Sequence, residues 1–280
     1  MREVFGDVRL RWGRQGNEWC AVLVLERDMD AAANALLATF VERVCKLGQR
    51  PEFAWADQIK KNSAGTFREA AQRAQDRQEW FAAFGSDLCL SNGTMQSTDF
   101  DMTGGQQKFL LKLREASIFL SSSRKDAERL LREALFGPWL YETSRKASEV
   151  ENSHSMGLDP STLLQGAFTA DEPAGIKDKR GVRGAIWLAF EAMPFFPCVY
   201  DGRLRTAGFT EQRGEDGKWR RYFEWGVWTE PLTMSSLRIL LLQSREQWTR
   251  ERGILERFRS ERVNLNKDYY SMAAADLVRK

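Results

Sequence analysis

Alternating hydrophobic and polar positions are densest between Arg203 and Trp228, where two period-2 runs flank Gly214-Glu215-Asp216-Gly217. A turn of that composition between alternating runs predicts an antiparallel ribbon, because Gly and Asp supply the backbone conformations of a tight reversal. Period 2 puts Arg203 and Arg205 on one strand face, and Lys218 and Arg220 likewise on the other strand. A favourable register would aim all four cations the same way. Upstream, the apolar run 19–25 has strand length, and Asp28 or Asp30 then caps a helix through Leu47, ended by Gly48 and Pro51. Helical periodicity recurs over 66–84, 105–120 and 124–136, the last stopping before Gly137-Pro138. Residues 182–193 read as an apolar helix, 234–248 as another capped by Thr233 or Ser235, and the alternation over 253–263 as a final strand.

These elements predict an α+β chain, mixed helices with an antiparallel β-ribbon in the C-terminal half. Residues 144–179 are polar and hold Pro160, Pro173 and several Gly, which makes them the expected loop or linker. It would separate an N-terminal α+β region, 1–143, from a C-terminal region, 180–280. With 280 residues, 42% hydrophobic and 11% aromatic, the chain can bury a sizeable core and lacks the composition of disorder. The apolar runs, 19–25 and 239–242 among them, are far too short to span a bilayer, and the N-terminus has no apolar leader core. A cytoplasmic protein is the expectation. Cys20, Cys45, Cys89 and Cys198 are scattered without a C-x-x-C pair, which predicts reduced thiols rather than a zinc site or a disulfide framework.

Charge narrows the function more than composition does. The net is only +3, yet 177–221 holds ten basic residues against six acidic, and 238–280 repeats that balance, leaving the chain before Lys177 acidic. An anionic partner would therefore bind locally, in the second half. The ribbon supplies Arg203, Arg205, Lys218, Arg220 and Arg221 among Phe209, Trp219, Tyr222, Phe223, Trp225 and Trp228, so cations that pair phosphates stand beside rings that stack on bases. A second basic run, Lys177, Lys179, Arg180 and Arg183, opens the helix at 182, whose N-terminal amides add to its attraction for phosphate. A third candidate is Thr103-Gly104-Gly105-Gln106-Gln107-Lys108. Two glycines permit close backbone approach there, Gln106 and Gln107 can read base edges, and Lys108 meets phosphate.

Catalytic patterns are scarce. His154 is the only histidine and stands in a polar segment without a G-x-S-x-G elbow, and neither a Walker lysine motif nor G-x-G-x-x-G occurs, so no enzyme activity and no cofactor are expected. Asp201, Glu211 and Arg213, with Asp99 and Asp101, loosely resemble a metal-dependent nuclease set. That reading stays open, as does a purely structural scaffold.

The order Asp99-Phe100, then Gly105-Gln106-Gln107-Lys108-Phe109-Leu110, then 187–197, Thr206-Ala207-Gly208-Phe209 and 225–232 resembles the compact large subunit of type I-G (formerly type I-U) CRISPR Cascade complexes, the Cas eight family. The resemblance covers roughly residues 99–270 and rests on apolar and aromatic spacing. It implies a subunit of an RNA-guided antiviral defence complex, with CRISPR RNA, target double-stranded DNA, other Cas subunits and a helicase-nuclease as partners. The implied tasks are reading the protospacer-adjacent motif, starting target unwinding and helping to recruit the helicase-nuclease.

Overall fold

A computed structural model describes residues 8–25, 29–47, 59–60, 62–74, 78–102, 109–137, 139, 156–159, 182–243, 245–266 and 269–278. The chain is α+β, with its antiparallel sheets mostly in the C-terminal half. It divides into two compact units, each drawn from more than one stretch of chain: a first unit of Met1–Thr39, Ala207–Glu261 and Ala275–Lys280, and a second of Phe40–Thr206 and Arg262–Ala274. Of the expected linker 144–179, only residues 156–159 are described. Among the described residues, no helix is long and apolar enough to cross a membrane.

The first unit is built on strands. β1 (Arg9–Gln15) pairs antiparallel with β2 (Glu18–Val24), extending the expected single strand at 19–25 into a hairpin. β7 (Phe209–Arg213) and β8 (Trp219–Trp228) form the hairpin anticipated around Gly214–Gly217, and β8 pairs on its other side with β10, Ile254–Asn266. The expected final strand is therefore present, and β12 (Asp276–Leu277) lines its outer edge. Between β8 and β10 come β9 (Leu232–Thr233), which pairs with β1, and a helix, Met234–Leu242. Thr233 caps that helix as anticipated, its hydroxyl oxygen accepting the Ser236 N–H at 3.2 Å, which satisfies one of the first-turn donors. The helix stops at Leu242, short of the expected 248, because Gln243 turns extended. Trp228, Leu237, Trp248 and Ile254 make the core beneath it, with Trp12 edge-on to Trp228 at 6.0 Å. Burying four large side chains of this kind supplies roughly 1.5–3 kcal/mol each.

The second unit is mainly helical. α1 (Met29–Leu47) begins in the first unit, with Ala32, Leu36, Leu37, Val41 and Val44 buried at the three- and four-residue spacing of a helix face. α2 (Ala64–Arg73) and α3 (Gln78–Phe84) replace the one helix expected at 66–84; Ser63 caps α2 by accepting the Thr66 N–H at 3.1 Å. α4 (Phe109–Ser121), α5 (Arg124–Phe136, capped by Ser123) and α6 (Arg183–Ala192) complete the set, and the Met234–Leu242 helix becomes α7. Small hairpins β3–β4 (Leu90–Ser91, Thr94–Met95) and β5–β6 (Cys198–Tyr200, Leu204–Thr206) join them, and β11 (Tyr269–Met272) pairs with residues 262–266 of β10. Phe109 is fully buried, and Trp80 and Phe84 flank Phe190 with ring centroids 4.4 and 6.4 Å away. Gly184 lets α6 lie directly on α5, since a Cβ there would run into the Leu130 carbonyl oxygen and sit 2.9 Å from Ala134 Cβ.

Candidate nucleic-acid interface

The β7–β8 hairpin carries the cationic and aromatic residues that the sequence singles out, in a register that fixes which of them share a face. Arg213 stands opposite Trp219, Gln212 opposite Arg220, Glu211 opposite Arg221 and Phe209 opposite Phe223. One face thus presents Arg213, Trp219, Arg221, Phe223 and Trp225; the other presents Gln212, Arg220, Tyr222 and Glu224. On the first face the rings form a row, Phe209 to Phe223 at 5.4 Å, Phe223 to Trp225 at 6.0 Å and Trp225 to Phe258 of β10 at 5.9 Å.

Side chains pin the turn at the hairpin tip. The Gly214 N–H donates to the Lys218 carbonyl at 2.8 Å, and Gly217 takes φ +77°, a conformation open to glycine at little cost. Asp216 accepts the Lys218 N–H at 3.2 Å and an Arg220 guanidinium N–H at 3.1 Å, while Arg213 Nε donates to the Gly217 carbonyl at 3.0 Å. The Lys218 amide, followed by the Arg220 guanidinium, holds the Asp216 carboxyl below the usual range, and Asp216 in turn raises Arg220. Trp219 is 69% exposed, more than any other described aromatic side chain. A tip with an open indole, an exposed Arg213 opposite it and an exposed Lys218 beside it can stack on a base and pair phosphates together.

The four cations do not share one ribbon. Arg203 and Arg205 belong to β5–β6, where Arg205 stands opposite Val199, and both lie in the second unit, whereas Lys218 and Arg220 lie in the first. Gly208, at φ +89°, falls between β6 and β7 and separates the two hairpins that the continuous alternation had merged. Several cations also have internal anions. Arg205 pairs with Asp201 at 2.6 Å, Arg221 with Glu211 at 3.0 Å, and Arg220 with both Asp216 and Glu261, the latter at 3.8 Å. Arg183 opens α6 as expected, with its guanidinium 4.0 Å over the Phe119 ring. Gln106, Gln107, Lys108, Lys177, Lys179 and Arg180 lie outside the described residues, as does His154.

The acidic candidates are engaged in structure. Asp201 and Glu211 fall in different units, each on its own arginine. Asp99 accepts the Thr206 N–H at 3.3 Å, and the Asp99 and Asp101 carbonyls accept Arg262 at 2.9 and 3.0 Å, with Arg262 stacked 3.6 Å over Tyr270. No group of three or more metal-ligating side chains occurs among the described residues.

Sequence reasoning missed a buried carboxylate, Glu224, which is 1% exposed and accepts from Thr210 Oγ1 at 2.9 Å, Gln212 Nε2 at 3.3 Å and Arg257 at 2.9 Å. The alternation of 254–263 already put Arg257, Arg259 and Glu261 on one face; only the register with β8 brings that face over Glu224. No family model matches the chain, and neither a curated protein nor a solved structure shows significant similarity to it.

Proposed function

We propose that this chain is a non-catalytic, nucleic-acid-binding subunit of a CRISPR RNA-guided surveillance complex, and that the tip of the β7–β8 hairpin touches target DNA. The exposed Trp219 between Arg213 and Lys218, on a turn locked by Asp216, carries the reading. An exposed indole is unfavourable in water and is common where a partner covers it. A pinned turn also loses little entropy on binding, so contact made there returns more affinity than contact from a loose loop. Reading the protospacer-adjacent motif and recruiting the helicase-nuclease come from the family resemblance and belong to the same proposal.

The test is to purify the chain together with the proteins encoded beside it, identify any RNA that co-elutes, and measure DNA binding. Trp219→Ala is expected to weaken binding to single-stranded or unpaired target by about 1–3 kcal/mol, the worth of one stacked base. Binding unchanged by Trp219→Ala and by Arg213→Ala with Lys218→Ala would remove the hairpin from the interface. Cleavage that is lost in Asp201→Asn or Glu211→Gln would favour the nuclease reading instead.

A further inference from the structure

The turn of the β3–β4 hairpin, in the second unit, consists of Asn92 and Gly93, since Ser91 stands opposite Thr94. Both residues take positive φ, 51° and 77°. Asn-Gly is the pair that such a two-residue turn selects, because each tolerates the left-handed region. The pair occurs once in the chain; every other asparagine is followed by a residue with a side chain.

The surroundings leave the Asn92 amide open to its own backbone. Asn92 and Gly93 are exposed, and the Asn92 side chain makes no hydrogen bond among the described residues. A Cβ on Gly93 would meet nothing within 4 Å, so nothing crowds the Gly93 nitrogen from that side. Asn62 is the contrast, with its Nδ2 donating to the Ile59 carbonyl at 3.3 Å and Ser63 following it. The hairpin has two residue pairs, Leu90 with Met95 and Ser91 with Thr94, reinforced by the Thr94 hydroxyl donating to the Ser91 carbonyl at 2.8 Å. A ribbon that short is weakly held. It opens locally at small cost, and the opened backbone reaches arrangements closed to the left-handed turn.

We propose that Asn92 is a site of spontaneous modification, converting to isoaspartate and aspartate in the folded protein. The Gly93 amide nitrogen attacks the Asn92 side-chain carbonyl carbon and forms a new C–N bond. The bond from that carbon to Nδ2 breaks, and Nδ2 leaves as ammonia, taking up the proton that Gly93 gives. Water, the co-reactant, then adds to either carbonyl of the resulting cyclic imide. Opening one C–N bond restores the ordinary backbone as aspartate; opening the other routes the backbone through the side chain as isoaspartate. Either product carries a negative charge at neutral pH. Isoaspartate also lengthens a turn that fits two ordinary residues. The change reaches inward, because Met95 is 2% exposed in the core of the second unit and its N–H donates to the Asn62 carbonyl at 2.9 Å.

The full-length protein is incubated in mildly alkaline buffer, folded and in parallel denatured, and its asparagine peptides are followed by mass spectrometry with chromatography that resolves the isomers. In the folded sample the Asn92 peptide is expected to be lost first, to yield isoaspartate as well as aspartate, and to convert faster as pH rises, since attack needs the Gly93 nitrogen deprotonated. Asn92→Gly keeps the freedom of the turn and removes the amide, so the acidic species resolved by ion exchange should be lost in it. The isoaspartate fraction of aged protein should exchange the Met95 amide hydrogen faster than fresh protein does. Asn92 that persists in the folded protein while the denatured chain converts overturns the proposal. So does aspartate formed without isoaspartate, or an acidic species in undiminished yield from Asn92→Gly.

Discussion

Cys198 shows how one residue's surroundings set its chemistry. Burial pushes its thiol up from 9.0 to about 11, against the hydroxyls of Thr206 and Thr98, which lower it, and with Asp99 raising it further. Its Sγ also donates to the Ala83 carbonyl at 3.4 Å, so the half-buried thiol serves as a hydrogen-bond donor. Below pH 9 the thiol is neutral in both folded and unfolded chains and the preference is fully present. As pH rises from about 9 to about 11 the unfolded thiol ionises first, and the stability it contributes is lost. Denaturant titrations across that window should show a fall in stability that is shallower in Cys198→Ala, and iodoacetamide at pH 8 should leave native Cys198 unmodified. Prompt alkylation of Cys198 in the folded protein would contradict the assignment. The sequence foretold a reduced thiol here; its raised pKa comes from burial, adjusted by Thr206, Thr98 and Asp99, and that packing cannot be read from the chain.

At the scale of elements, Gly184 and Gly65 carry opposite expectations for the same substitution. Helix propensity favours alanine over glycine by about 1 kcal/mol at an interior helical position. Gly65 lies exposed in the first turn of α2, where a Cβ meets only Ser63 Oγ at 3.6 Å, so Gly65→Ala should stabilise by roughly 0.5–1 kcal/mol. Gly184 is buried against α5, and there the added methyl must push α6 away; Gly184→Ala should destabilise by about 1–3 kcal/mol despite its better propensity. Chemical denaturation of the two variants measures both signs, and a stabilising Gly184→Ala would refute the close helix contact. Element type and faces were readable where the periodicity was strong: β8 and β10 alternate as the sequence indicates, and Thr233 caps its helix as expected, whereas the caps Ser63 and Ser123 were not singled out. Pairing was not, because a period of two tells which residues share a face and is silent on which strand lies alongside. Arg203 and Arg205 were matched to the wrong partner for that reason, although Gly202 and Gly208, both at positive φ, mark the ends of their own hairpin turn and strand.

For the whole molecule, the question is how a chain of net charge +3 could hold a polyanion. Composition alone could not show that each compact unit gathers separate stretches, so the basic segments could be counted but not placed. Once placed, they differ in how much charge they can offer. Arg205 meets Asp201 at 2.6 Å and Arg221 meets Glu211 at 3.0 Å, so a phosphate approaching either competes with a resident carboxylate. Lys218 makes no ion pair among the described residues, and Arg213 donates to a backbone carbonyl, which leaves its charge unneutralised. Counterion release follows net neutralised phosphates, about 0.9 in the slope of log affinity against log salt for each duplex contact. In the assembled complex, Arg213→Ala with Lys218→Ala should therefore flatten the salt slope by nearly two contacts' worth. Arg205→Ala should move it by clearly less than one, because Asp201 is released as the arginine is lost. Equal effects from the two positions would mean that the internal ion pairs open on binding, and an unchanged slope in all variants would mean that duplex DNA is held elsewhere.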